Sequence, residues 1–160
     1  MESQSQNKYL SDKRFNELLY SSEINVSDEE IFLFVKEYIK RHQTKNKNQK
    51  VIIFNHDEKG LVHSNGMAPA VISYYDTQQT KIKYRMHYKH GKIHNLYGPA
   101  YIHYYNQTPL TKYCETYMAN DKIHRDDNKP AVIIYNKKGQ VSKLEYYVND
   151  IKIKEEIKAE

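Results

Sequence analysis

The feature that most limits how this chain can fold is a phrase written three times. Pro-Ala pairs stand at Pro69-Ala70, Pro99-Ala100 and Pro130-Ala131, with spacings of 30 and 31. A histidine precedes each pair, at His63, His94 and His124, with spacings of 31 and 30. The histidines close the similar phrases KGLVH, HGKIH and NDKIH, and the pairs open APAVISYYD, GPAYIHYYN and KPAVIIYNK. A fixed period carried by two independent markers is the signature of a repeat array, whose units bury their apolar faces on one another. A broken copy, NDIKI, runs from Asn149 to Ile153 without the histidine, and Val51 to Gly60 reads as an incomplete opening unit.

Within each unit the apolar residues alternate, which is the period of a strand. Ala70, Ile72 and Tyr74 share one face, as do Ala100, Ile102 and Tyr104, and Ala131, Ile133 and Tyr135. Proline at the first strand position removes no ladder hydrogen bond. Gly91 and Asp121 follow His90 and Asn120, where a tight hairpin turn needs positive φ. Return strands centre on Tyr84–Tyr88, Tyr113–Met118 and Leu144–Val148, so residues 51–160 read as an antiparallel meander of about seven strands. The chain holds 16 Tyr, 4 Phe and no Trp, which suits a thin sheet with half-buried rings better than a thick core.

Residues 1–50 read differently. Residues 8–43 predict two short amphipathic helices. Ser11 can cap the first, with Leu10 and Phe15 at staple positions and Leu18 and Leu19 continuing its face. In VSDEEIF, Ser27 and Glu30 make the S-x-x-E capping box, and Ile31, Phe34, Val35, Tyr38 and Ile39 follow at helical spacing. The apolar-free stretch QTKNKNQK, residues 43–50, is a linker or exposed turn. The expected fold class is α+β: a helical segment with its polar linker over 1–50, then a β-repeat domain over 51–160 holding about three units of 30–31 residues.

HGKIHNLYGPAYIHYY and NDKIHRDDNKPAVIIYN are similar to the G-K-x-H-R-x-x-G-P-A-x-I-x-Y unit, which resembles a long variant of the MORN-type β-hairpin repeat. That unit occurs in proteins of giant DNA viruses, tailed phages and some bacteria. The resemblance covers about residues 51–155. It implies a repeat-built sheet and a scaffolding role, with an antitoxin or anti-host factor as a further reading. The period exceeds that of ordinary MORN units, and the paired G-x-G is missing. The richness in Lys, Asn, Ile and Tyr fits a viral source.

No pattern prescribes an enzyme. G-x-S-x-G, P-loop and C-x-x-C signatures are absent. Cys114 is the single cysteine, so no intramolecular disulfide forms, and it reads as a structural strand residue. His63, His94 and His124 invite a metal reading, but equivalent positions two strands apart lie roughly 9.6 Å from one another. Ligand atoms around one zinc each lie about 2 Å from the ion. These three therefore read as turn-closing residues, and neither a metal nor a cofactor is expected. Asp126 and Asp127, after His124, read as a solvated loop.

What remains is recognition. The outward strand face differs between copies, and Tyr75, Tyr101, His103 and Tyr105 are its candidate contacts for a protein partner. The runner-up is RNA or single-stranded nucleic acid, taken up by KIKYRMHYKHGK through Lys81, Lys83, Tyr84, Arg85, Tyr88, Lys89 and Lys92. Against it, strict alternation puts Tyr84, Met86 and Tyr88 on one side and Lys83, Arg85 and His87 on the other. The net charge of +5 is spread out: residues 1–50 carry 9 Lys and Arg against 8 Asp and Glu, and residues 51–160 carry 16 against 12. Unpaired sheet edges call for cover, by the helices or by a second copy in a homodimer. With no signal-like start and no membrane-length apolar run, the expected location is cytoplasmic, in a host cell or virion if viral.

Overall fold

The computed structural model describes residues 50–53, 55–64 and 68–159. Among them no helix occurs, which corrects the expected α+β class: the described chain is all-β. The helix signals all fall in residues 8–43, which lie outside the described residues, and from residue 51 onward strand alternation governs.

The strands in chain order are β1 (Val51–Ile53), β2 (Val71–Tyr74), β3 (Ile82–Met86), β4 (Tyr88–Lys89), β5 (Lys92–Ile93) and β6 (Tyr101–Tyr104). They continue with β7 (Lys112–Thr116), β8 (Met118–Ala119), β9 (Lys122–Ile123), β10 (Val132–Tyr135), β11 (Val141–Val148) and β12 (Ile151–Ile157). Among the described residues, eight of these form one antiparallel sheet in the order β1-β2-β3-β6-β7-β10-β11-β12. Each strand pairs with the next sheet member in sequence, so this is the meander that alternation implied. The pairs β4-β5 and β8-β9 are small hairpins set off the main sheet.

The inward face is the one the sequence marks in the first two units, whereas in the third Ile133 and Tyr135 are half-buried and Val132 is buried. Ala70, Ile72, Tyr74, Ala100, Ile102, Tyr104 and Ala131 are all buried. In register, Ile72 faces Arg85, which faces Ile102, then Glu115, Ile133 and Leu144. This row alternates apolar and charged residues up to Ile133. Glu115 is buried but satisfied: Tyr135 donates to Oε2 at 2.8 Å and Lys112 Nζ to Oε1 at 2.7 Å. Arg85 is buried beside the Tyr104 ring, its guanidinium carbon 5.9 Å from the centroid. Burying ionic groups is costly unless they are partnered: Glu115 has two donors, whereas the buried Arg85 Nε has no hydrogen-bond partner among the described residues. In the first unit both faces are covered, because Val71 and Ser73 are buried as well.

One irregularity recurs in every unit. Register shifts occur between Ser73 and Tyr74, His103 and Tyr104, and Ile134 and Tyr135. They leave Lys83, Tyr113 and Ser142 without a partner residue opposite, as β-bulges do.

Successive units are clasped at their turns. The two-residue turns His90-Gly91, Asn120-Asp121 and Asn149-Asp150 all have positive φ, from 48° to 79°. The positive φ expected at Gly91 and Asp121 is there, and with both turn residues at positive φ the geometry is type I′. His63 Nδ1 accepts from the His90 amide at 3.1 Å, His94 Nδ1 from Asn120 at 3.2 Å, and His124 Nδ1 from Asn149 at 3.2 Å. Each repeated histidine thus closes the turn of the following hairpin. Asp121 Oδ1 accepts from the Ile93 amide and Asp150 Oδ1 from the Ile123 amide, both at 2.7 Å.

Candidate functional site

The bulges decide which side chains meet on the outward face. A bulge turns two neighbouring side chains toward the same side of the sheet. Strict alternation would send Lys83 to the inner face with Arg85 and His87. Instead Lys83 Nζ lies 5.8 Å from the centre of the Tyr75 ring, on the outward side. The expected separation of cations from rings therefore fails at Lys83 and holds at Arg85 and His87, which are buried.

At the next bulge Tyr113 takes the place of Lys83. Its ring meets His103 edge-on with centroids 5.5 Å apart, and Tyr105 at 5.2 Å. His103 lies 6.2 Å from Tyr101 and 6.5 Å from Tyr75, and Tyr101 lies 5.7 Å from Tyr84. Six rings thus form one connected cluster that runs from Tyr75, at the end of β2, across β3, β6 and β7. The rings of Tyr84, Tyr101 and His103 are half-buried, and Tyr113 is 39% exposed.

The four expected contact residues are all in this cluster, with divided roles. The Tyr75 hydroxyl donates to the Tyr104 carbonyl at 2.7 Å, and the Tyr105 hydroxyl donates to the Tyr135 carbonyl at 2.8 Å. These two tie one unit to the next. Tyr101, His103 and Tyr113 offer ring surface. Burial, and then Lys83, lower the His103 imidazole from its ordinary value, which favours the neutral ring. Burial likewise raises the Tyr101 phenol and the adjacent Cys114 thiol, leaving Cys114 a poor nucleophile, as a strand residue should be.

The basic stretch from Lys81 to Lys92 is not held together as one surface. Lys83 and Tyr84 join the ring cluster, and Arg85 is buried on the opposite face. Tyr88 is half-buried with its hydroxyl 3.8 Å from the Met86 sulfur, while Lys89 and Lys92 are exposed on the β4-β5 hairpin and Lys81 precedes β3. Asp126 accepts from His124 Nε2 at 3.0 Å and is 83% exposed at its side chain, the solvated loop expected there.

Tyr113 is the ring of this cluster that sequence reasoning missed. Its signal lay in the spacing: Lys83, Tyr113 and Ser142 hold the same bulge at intervals of 30 and 29. No family model, curated protein or solved structure matches the chain. Among the described residues, no helix is long and apolar enough to cross a membrane.

Proposed function

We propose that the chain is a non-enzymatic interaction module that binds a protein partner through the outward face of β3, β6 and β7. The observation that carries this reading is the connected cluster of Tyr75, Tyr84, Tyr101, His103, Tyr105 and Tyr113. Tyrosines held by their neighbours give large contact area at little entropic cost, and they are enriched among residues that dominate binding energy. The resemblance to MORN-type repeats supports a scaffolding role, and a host protein as target fits the anti-host reading.

The test isolates a partner from the native cell and titrates it, purified, against wild type and the Tyr101→Ala/Tyr113→Ala variant. Neither hydroxyl makes one of the ties between units, so the variant is expected to fold. Its affinity should fall by about 30-fold or more, from two lost anchors worth about 1 kcal/mol or more each. Full-strength binding by a folded variant removes the reading.

Lys83 beside the rings favours one second reading, single-stranded nucleic acid stacked on the same face. It requires binding to single-stranded RNA at low salt that weakens steeply as salt rises, and a loss of that binding in Lys83→Gln.

A further inference from the structure

The first junction of the array departs from the later ones, and the departures converge on one point. Where the later turns carry Asn120-Asp121 and Asn149-Asp150, the first carries His90-Gly91. Gly91 has no carboxylate, so the Asp-to-amide clasp of the later junctions is missing. The preceding hairpin, closed by the His56–Val62 bridge, has a turn one residue longer than those that follow. That longer turn places Asp57 beside the junction. Backbone amides fix the carboxylate: Oδ1 accepts from Lys59 and from Leu61, each at 2.9 Å. Oδ2 is thereby aimed at His90 Nδ1, 2.7 Å away. The His63 ring packs against the His90 ring with centroids 4.6 Å apart.

Asp57, His63 and His90 each offer one donor atom, and the three atoms lie within 4.8 Å of one another. Donors around a tetrahedral zinc at about 2.0–2.1 Å stand roughly 3.3 Å apart, so the set has to draw together to hold an ion, and His63, whose neutral ring has one lone pair, gives up the His90 amide hydrogen bond to ligate it. His90 adopts a φ of +48°, the left-handed turn position that Asn120 and Asn149 fill at the later junctions. At this turn position His90 faces Asp57, a carboxylate for which the later junctions have no counterpart.

We infer that Asp57, His63 and His90 form a binding site for a first-row divalent metal, with Zn2+ the best match to two imidazoles and one carboxylate. His63, His94 and His124 sit at three separate junctions and share no ion. This set instead joins one repeated histidine to two residues peculiar to the first junction. The His90 side chain is 60% exposed, so the fourth position opens to water or to a ligand from a partner. Bound metal would take over the tie that Asp121 and Asp150 provide further along the chain.

The experiment uses the full chain, stripped with a chelator and titrated with Zn2+, with thermal unfolding followed in parallel. The expected result is one equivalent bound and a Zn2+-dependent rise in Tm, since a ligand held by the native state stabilises it. His90→Asn restores the residue of the later turns and so should fold as well as wild type. His90→Asn and Asp57→Asn should each weaken Zn2+ binding by about 100-fold or more, since even residues behind the ligands are worth 10–100-fold. His124→Asn should leave the affinity unchanged. No binding to wild type, or affinities of His90→Asn and Asp57→Asn within about twofold of wild type, overturns the site.

Discussion

The first junction of the array and the two that follow share a backbone and differ in side chains. In all three, the second turn residue donates its amide to a carbonyl of the preceding hairpin: Gly91 to Val62 at 2.8 Å, Asp121 to Ile93 and Asp150 to Ile123 at 2.9 Å. In all three, a repeated histidine accepts from the first turn residue. The later junctions add an aspartate clasp, whereas the first replaces it with a His-Asp pair at its surface. The first hairpin also starts from a buried His87, where the later ones have Tyr117 and Tyr146. The shared bonds belong to the scaffold, and the differences are where a special property of one unit has to reside.

The largest predicted effect sets His87 against those tyrosines. Burial, and after it the charge of Arg85, lowers the His87 imidazole from 6.5 to about 3. A histidine with a lowered folded pKa is neutral when folded and takes up a proton on unfolding. Its contribution is fully present above about pH 6.5 and is lost as pH falls toward 3. Each pKa unit corresponds to about 1.4 kcal/mol, so several kcal/mol separate the two ends of that window. Urea unfolding of wild type and His87→Gln between pH 7 and pH 4 measures the difference. Wild type should lose stability more steeply. Parallel curves would mean that the first hairpin has no buried neutral histidine and is no different from the others in this respect.

A smaller effect compares the turns themselves. Asp121→Ala removes the acceptor of the Ile93 amide, worth about 1 kcal/mol, and puts an alanine at a φ of +69°, worth about another 1 kcal/mol. Gly91→Ala at the first junction has only the second cost. Its φ is +79°, and the nearest atom to an added Cβ, in the Leu61 side chain, lies at 3.7 Å, an ordinary contact. The expected losses in chelator are about 2 and about 1 kcal/mol, read from urea midpoints. Equal losses would show that the aspartate clasp adds nothing to the later junctions.

Much of this was legible in the sequence because the period is long and repeated. The inward face at Ala100, Ile102 and Tyr104 follows from alternation, and the turns follow from Gly91 and Asp121. Two things were not legible. A bulge is a single extra residue with no composition of its own, so strict alternation puts Lys83 on the wrong side and does not mark Tyr113. The junction bonds join residues 25 to 28 apart, such as Asp121 with Ile93 and His124 with Asn149, and no local pattern announces them. Asp57 escaped for the same reason: its partner His90 lies 33 residues away.

The smallest effect concerns Asp57 without metal. The His90 hydrogen bond first, and the Leu61 amide second, hold its carboxyl below the ordinary 3.8. A carboxylate with a lowered folded pKa contributes stability above its unfolded value and loses it as pH falls through the folded one. In chelator, wild type should exceed Asp57→Asn in stability at pH 5, and the gap should close as pH drops below about 3.8. The pair lies at the surface, with the His90 side chain 60% exposed, so the gap is small and added salt should shrink it further. A gap that stays constant from pH 5 to pH 2 would mean that the charge on Asp57 does not tie the first junction. The aspartate would then matter only as a cap for its own turn, through the Lys59 and Leu61 amides, a role asparagine fills equally well.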